Sequence, residues 1–458
     1  VSAPHVLVVG GGLAGIEAAL RCAEGGARVT LLEERRWLGG ATWSRVHRGL
    51  GFEIDNGQHV FLRCCTEYLR FLQRLGVRDR VALQPRLAVP IARAGRSPAW
   101  IRSAPLPAPV HLAPSLLRFP GLSLRERALA GLALRAIGRL DPDDRALDDQ
   151  RLGDWLRAQR QGDAAIDRLW ELLIRPTLNV SARDASLALA ARVMRTGFLD
   201  TARGADIGWP LVPFSALHAG PAAAALAARG VRVELGARAD ALECADGRPA
   251  LWSYGVRIAA DAIVLATPHD VAARLLPESA ALARAGVSRD ALASLGHSPI
   301  VSLHVVFDRR VMTHPLLAAQ AGELQWIFDR TASAALPRGQ YLTIPLSAAD
   351  RWLGQSAASL RAAFLPPLRA LLPAARDAEL LAFAVTSEPA ATFRAEPGSR
   401  RARPAPGTEV DGVFLAGAWT DTGWPATMEG AVRSGAAAAA ATLAACRRAS
   451  PRAGREAA

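Results

Sequence analysis

The stretch HVLVVGGGLAGIEAAL, residues 5–20, decides the fold. Its apolar opening, 5–9, suits a buried parallel strand, and 13–24 carries the apolar spacing of a helix. Between them Gly10, Gly12 and Gly15 stand in the GxGxxG pattern of a dinucleotide-binding turn. Gly10 permits the tight turn, Gly12 lets a pyrophosphate approach the backbone, and Gly15 lets helix and strand pack closely. Leu13 and Ala14 open the helix, whose positive end faces the phosphates. Alone the pattern is weak, because glycine triplets also occur at ordinary strand–helix turns.

The surrounding sequence strengthens it. A second apolar run, 28–32, ends in Glu33 and Glu34, about 20 residues past the turn, where an acid meets the ribose hydroxyls. Arg35 and Arg36 would suit a 2′-phosphate, but an acid at the strand tip argues against NADP. Farther on, Gly39, Gly40 and Ala41 suit a chain passing close beneath the same pyrophosphate. Then come IDNGQHVF (54–61) and, near the far end, VFLAGAWTDTGWPATMEGAVRSG (413–435).

These motifs resemble the FAD-dependent amine oxidase and carotenoid desaturase superfamily. DNGQHVFLRCCTEYLRFLQRLG (55–76), LWELLIRPTLN (169–179) and TDTGWPATMEGA (420–431) are similar to its squalene-associated branch, the hydroxysqualene dehydroxylases of hopanoid biosynthesis. The resemblance covers nearly the whole chain. It implies an α/β fold, with a Rossmann-type FAD-binding domain assembled from discontinuous segments and an α+β substrate domain. The FAD domain is expected over 1–81, 206–276 and 399–447, the substrate domain over 82–205 and 277–398, and a flexible tail over 448–458.

By the same resemblance FAD is the cofactor. Gly10, Gly12, Leu13, Ala14, Gly15, Glu33, Glu34, Gly39, Gly40, Ala41, Asn56, Gly57, Gln58, Ala239, Gly417, Ala418 and Met428 would line its site. Ala239 would sit near the adenine through its backbone. One departure stands out: the superfamily carries Asp where this chain has Ala418, beside the ribityl–phosphate part of FAD. Asp421 is the candidate replacement.

The implied reaction is reduction of hydroxysqualene to squalene, with hydride delivered to the allylic cation that remains after water departs. Asp55 and His59 are the candidate proton donors, because IDNGQHVF follows the FAD glycines. Each also has a plainer reading, a turn-stabilising carboxylate and a hydrogen-bonded structural histidine. Glu429 opens a helix, where it would cap or complement the dipole. Trp209, Trp326, Trp419 and Trp424 could face a cation, although core or tunnel packing explains each of them better. The rival readings are an isoprenoid desaturase, an amine oxidase, and a non-catalytic isoprenoid carrier that keeps FAD only for structure.

Composition narrows the partners. The chain has 458 residues, 50% hydrophobic, which suits two folded domains. Its net charge of +13 comes from 55 basic residues, every one Arg, spread without a basic block. Nucleic acid is therefore disfavoured, and an anionic membrane surface remains open. The five cysteines form no CxxC pair and the nine histidines no ligand spacing, so no metal is expected and reduced thiols in cytoplasm are the default. With the first strand beginning by His5, no signal peptide is expected. An apolar isoprenoid substrate implies attachment to the inner face of the cell membrane. The proline-rich, acid-free segment 97–123 is either an excursion packed on the substrate domain or a membrane-facing entrance. Oligomeric state is not encoded legibly.

Elsewhere the pattern predicts helices at 123–139, 152–159, 165–175, 215–229, 357–372 and 435–445. It predicts strands at 232–235, 237–243, 259–268, 300–307 and around 325–328.

Overall fold

A computed structural model of the protein describes residues 3–245, 248–277, 287–408 and 410–449. The last nine residues of the expected tail, 450–458, lie outside the described residues.

A five-stranded parallel sheet organises the nucleotide-binding half, in the order Arg232–Leu235, Arg28–Glu33, His5–Val9, Ala262–Leu265, Val413–Leu415. Segments from both ends and the middle of the chain thus meet in one sheet. Ala262–Leu265 and Val413–Leu415 are buried throughout, as continuous apolar runs should be in a parallel sheet covered on both faces. Helices Leu13–Glu24 and Met428–Ala449 pack together against it. Their approach is close: a Cβ on Gly435 would lie 2.2 Å from the carbonyl oxygen of Ala14.

The strand expected at 237–243 begins later, at Ala241–Ala245, and belongs to a separate three-stranded antiparallel sheet. The physical reason is local. The amides of Gly236 and Ala237 donate to the carbonyls of Arg35 and Glu33, and this commits the stretch to a turn against the second strand.

The other half is built on a seven-stranded sheet. Its order is Leu380–Thr392, Ser298–Phe307, Gln340–Ser347, Leu324–Asp329, Leu316–Ala321, Ala88–Arg93, Arg96–Arg102. Five of these strands escape the periodicity: Ala88–Arg93, Arg96–Arg102, Leu316–Ala321, Gln340–Ser347 and Leu380–Thr392. The first part of the proline-rich segment is therefore the edge strand of a hairpin, Ile91 pairing with Ala99, and not an excursion. The helices expected at 123–139, 152–159 and 357–372 appear as Leu124–Ile137, Leu152–Ala158 and Ala357–Leu371, whereas the one expected at 435–445 runs over Met428–Ala449, and Thr66–Arg74 and Leu187–Val193 were not expected. Leu124–Ile137 opens on a capping box in which Ser123 and Glu126 satisfy each other's amides. Among the described residues no helix is long and apolar enough to cross a membrane.

Candidate functional site

The carboxyl ends of the parallel strands converge on one crevice, where open α/β sheets bind their ligands. Gly10 turns the first strand with φ +109°, and a Cβ there would sit 2.5 Å from the Ala266 carbonyl. A Cβ on Gly15 would lie 1.8 Å from the Gly10 oxygen, so helix and strand touch through backbone. Gly12 differs from both. Its φ is −75°, and an added Cβ would meet only Gly40 Cα at 3.7 Å. No protein atom requires glycine at position 12; the space beside it is left for a ligand.

The second glycine turn closes on the first. The Gly39 amide donates to Gly11 O at 2.8 Å, and a Cβ on Gly40 would press on Gly12 Cα at 2.7 Å. The Glu33 carboxylate, buried at the strand tip, accepts from the amides of Gly11 (2.5 Å) and Arg35 (2.8 Å). It stands at the crevice edge, with Glu34 exposed beside it. Arg35 also donates to Gly40 O at 2.9 Å. The Ala237 amide, two residues before Ala239, donates to Glu33 O at 2.9 Å.

The C-terminal motif reaches the crevice through the fifth strand. Gly417, at φ +144°, donates its amide to Ser434 Oγ at 2.8 Å. The Trp419 indole donates to Thr267 O at 2.8 Å. Arg403 is 4% exposed and gathers the carbonyls of Thr420 (2.7 Å) and Trp424 (2.6 Å), so a buried guanidinium braces the loop after Gly417. Burial lowers its pKa to about 10. Ala418 is half-buried, and Met428 begins the last helix. The Asp421 carboxylate is engaged elsewhere: it accepts from Arg400 Nε and from the Gly423 amide, both at 3.2 Å. Glu429 caps a neighbouring helix and not its own, accepting from the amides of Glu67 (3.2 Å) and Tyr68 (2.7 Å) at the start of Thr66–Arg74. The glycine-lined space at Gly12, the carboxylate of Glu33 and the helix N-terminus together fit the diphosphate and ribose of FAD.

The segment 53–59 runs from this crevice toward the seven-stranded sheet. Asn56 ties it to the glycine turn, donating from Nδ2 to Ala41 O at 2.9 Å. Asp55 is 8% exposed and its oxygens are taken by Ser44 Oγ (2.7 Å), the Phe214 amide (3.0 Å) and Arg330 Nη2 (2.7 Å). That is the environment of an ion-paired acceptor, not of an acid. Burial holds the His59 imidazole below its ordinary range. Its Nδ1 faces Gly57 O at 3.1 Å and so carries the ring proton, leaving Nε2 as a lone pair.

Two buried chains that the sequence does not reveal pin this backbone and the glycine turn beside it. Tyr341 donates to His304 Nδ1 (2.6 Å), His304 Nε2 donates to Thr386 Oγ1 (2.9 Å), and Thr386 donates to Asn56 O (2.7 Å). The direction follows from the last link, since a hydroxyl that donates to a carbonyl must accept from the ring. Likewise Tyr68 donates to His218 Nε2 (2.8 Å), His218 Nδ1 to Thr42 Oγ1 (2.9 Å), and Thr42 to Gly39 O (2.9 Å). Burial lowers the pKa of both histidines to about 3. Each is a neutral spacer.

The crevice, its glycines and its carboxylate define an FAD-dependent oxidoreductase, and comparison with known proteins agrees. The chain belongs to the family described as flavin containing amine oxidoreductase, whose profile matches residues 13–443. It is similar to hydroxysqualene dehydroxylase of Rhodopseudomonas palustris, 29% identical over 94% of this chain and 96% of that one. It is also similar to 15-cis-phytoene desaturase of Solanum lycopersicum, 25% identical over 94% of this chain and 76% of that one. In fold it matches cyclohexylamine oxidase of Brevibacterium oxydans, with TM-score 0.70 and 20% identity over 97% of this chain and 100% of that one. FAD is the cofactor, and the substrate is an organic small molecule.

Proposed function

We propose that the chain reduces hydroxysqualene to squalene. The observation that carries this reading is end-to-end similarity to hydroxysqualene dehydroxylase, covering 96% of that protein against 76% of the phytoene desaturase. The three internal stretches quoted above support the same branch. Bound in reduced form, FAD would supply the hydride that quenches the allylic cation left when water departs.

The chain's own residues do the rest. Gly12, Gly39 and Gly40 admit the diphosphate, and Glu33 meets the ribose. Arg330 and Asp55 lock the 53–59 segment between the two sheets. His59 is neutral, with its ring proton turned to Gly57 O and its protonated form disfavoured by burial, and Asp55 is ion-paired. The proton that helps the hydroxyl leave therefore comes from neither at neutral pH. Closure of the cleft must exclude the water that would restore the alcohol.

A substrate that is nearly all hydrocarbon gains ~0.8 kcal/mol per CH₂ by leaving water, and so resides in membrane. The face for that encounter lies along 105–132. Leu117, Leu124 and Leu132 are 63%, 76% and 61% exposed there, and Leu106 and Val110 are also exposed. Arg118 and Arg125 stand among them. Phe119, at 2% exposed, belongs to the core instead. We place the protein peripherally, at the inner face of the cell membrane.

A second reading, isoprenoid desaturation, is favoured by the phytoene desaturase similarity and reverses the electron flow. Lipid extracts of a host that makes hydroxysqualene, analysed by mass spectrometry with and without this protein, separate the two. Squalene appearing at the expense of hydroxysqualene supports the proposal. Unchanged hydroxysqualene would contradict it.

A further inference from the structure

Two guanidinium groups beside the loop after Gly417 are short of acceptors. Arg403 spends Nε and Nη2 on the carbonyls of Trp419, Thr420 and Trp424, but its buried Nη1 has no acceptor among the described residues. Phe393, with its ring centroid 4.9 Å from Arg403 Cζ, attracts the charge through its π face but gives no lone pair to an N–H. Arg192 lies on helix Leu187–Val193 and gives Nη2 to Asp143 at 2.6 Å. Its Nε is buried and equally without an acceptor among the described residues.

Both arginines line one recess, shared with Arg400, Asp148 and Asp421, which has room for about one group the size of a water molecule. Its two carboxylates already have donors. Asp148 accepts from Ser186 Oγ (2.7 Å) and the Arg400 amide (2.8 Å), and Asp421 from Arg400 Nε and the Gly423 amide, both at 3.2 Å. Asp143 pairs with Arg192 and Arg400 from the solvent side, where it is 57% exposed and screened by water. Three cations thus face two carboxylates across the recess, with two charged N–H donors left open. Unmade hydrogen bonds of buried charged groups are costly, and a small acceptor recovers that cost. A water molecule would fill the donors only; a monatomic anion fills them and balances the charge.

We propose that this recess binds one small monovalent anion of the halide class, held between Arg192 and Arg403. The anion joins helix Leu187–Val193 to the loop after Gly417, so a simple salt component steadies the motif that closes on the cofactor. Sulfate and phosphate exceed the space, so the site selects by size. The proposal does not depend on which lipid the enzyme reduces.

The test follows the melting temperature of the FAD-loaded full chain as chloride replaces gluconate at constant ionic strength, in wild type and in Arg192→Met. That variant strands no carboxylate, because Asp143 keeps Arg400 Nη2 at 3.3 Å. With chloride tenfold above its dissociation constant, wild type is expected to melt about 1–2 °C higher, and the shift should saturate. Arg192→Met should lose the saturating part and keep only the general effect of exchanging salts. Crystals of the holoprotein grown in bromide should show an anomalous peak in contact with Arg192 and Arg403. A map with no peak there, or a chloride response equal in the two proteins, overturns the site and leaves the recess to water. Should Arg192→Met fail to fold, the bromide map alone decides.

Discussion

Arg330 and Asp55 form the ion pair on which the 53–59 segment depends, at 2.7 Å with both side chains under 10% exposed. Breaking such a pair from one side strands a buried charge. Arg330→Met is accordingly expected to lower unfolding free energy by about 3–5 kcal/mol in denaturant titration. A loss below about 1 kcal/mol would mean that the pair holds nothing in place. The buried histidines make a pH prediction. His218 and His304 have folded pKa values near 3 and His269 near 4, all pushed down first by burial, against about 6.5 in the unfolded chain. The unfolded chain therefore takes up protons that the folded one refuses. Stability is full above pH 6.5 and falls as pH drops toward 4, by up to about 1.4 kcal/mol per pH unit for each histidine. Melting temperature against pH should show this acid limb, and His218→Gln and His304→Gln should flatten it; an unchanged limb would contradict the assignment. Arg330, His218, His269 and His304 were not legible beforehand. Asp55 and His59 stood out by motif, but what each can do depends on Arg330 and Gly57, and pairing across 275 positions leaves no trace in one sequence.

Among elements, the nucleotide-binding half was the most readable. Its strands are continuous apolar runs, and its glycines sit where backbone must touch backbone. The polar-faced strands were not. Gln340–Ser347 and Leu380–Thr392 carry Thr, Ser and Pro toward a buried interface, so alternation reads as surface or loop. The glycines allow a paired prediction. Gly12→Ala should fold with stability within about 0.5 kcal/mol of wild type, since its Cβ meets no protein atom closer than 3.7 Å. The same variant should lose FAD affinity at least tenfold by flavin titration. Gly435→Val should do the reverse first, forcing helices Leu13–Glu24 and Met428–Ala449 apart and destabilising the apoprotein by more than about 2 kcal/mol. If Gly12→Ala binds FAD as wild type does, the crevice is not the diphosphate site.

At the scale of the whole molecule, the chain joins a cofactor half to a half that combines an amphipathic sheet with an exposed apolar, Arg-bearing face. Replacing Leu117, Leu124 and Leu132 together with Gln should reduce cosedimentation with anionic vesicles severalfold without altering flavin content; undiminished binding would remove this face from the account. The central claim concerns the direction of electron flow. Anaerobically reduced protein mixed with hydroxysqualene should regain the oxidised flavin spectrum, with one squalene formed per flavin. A flavin that stays reduced beside hydroxysqualene, yet is reduced from the oxidised form by a saturated isoprenoid hydrocarbon, would contradict it.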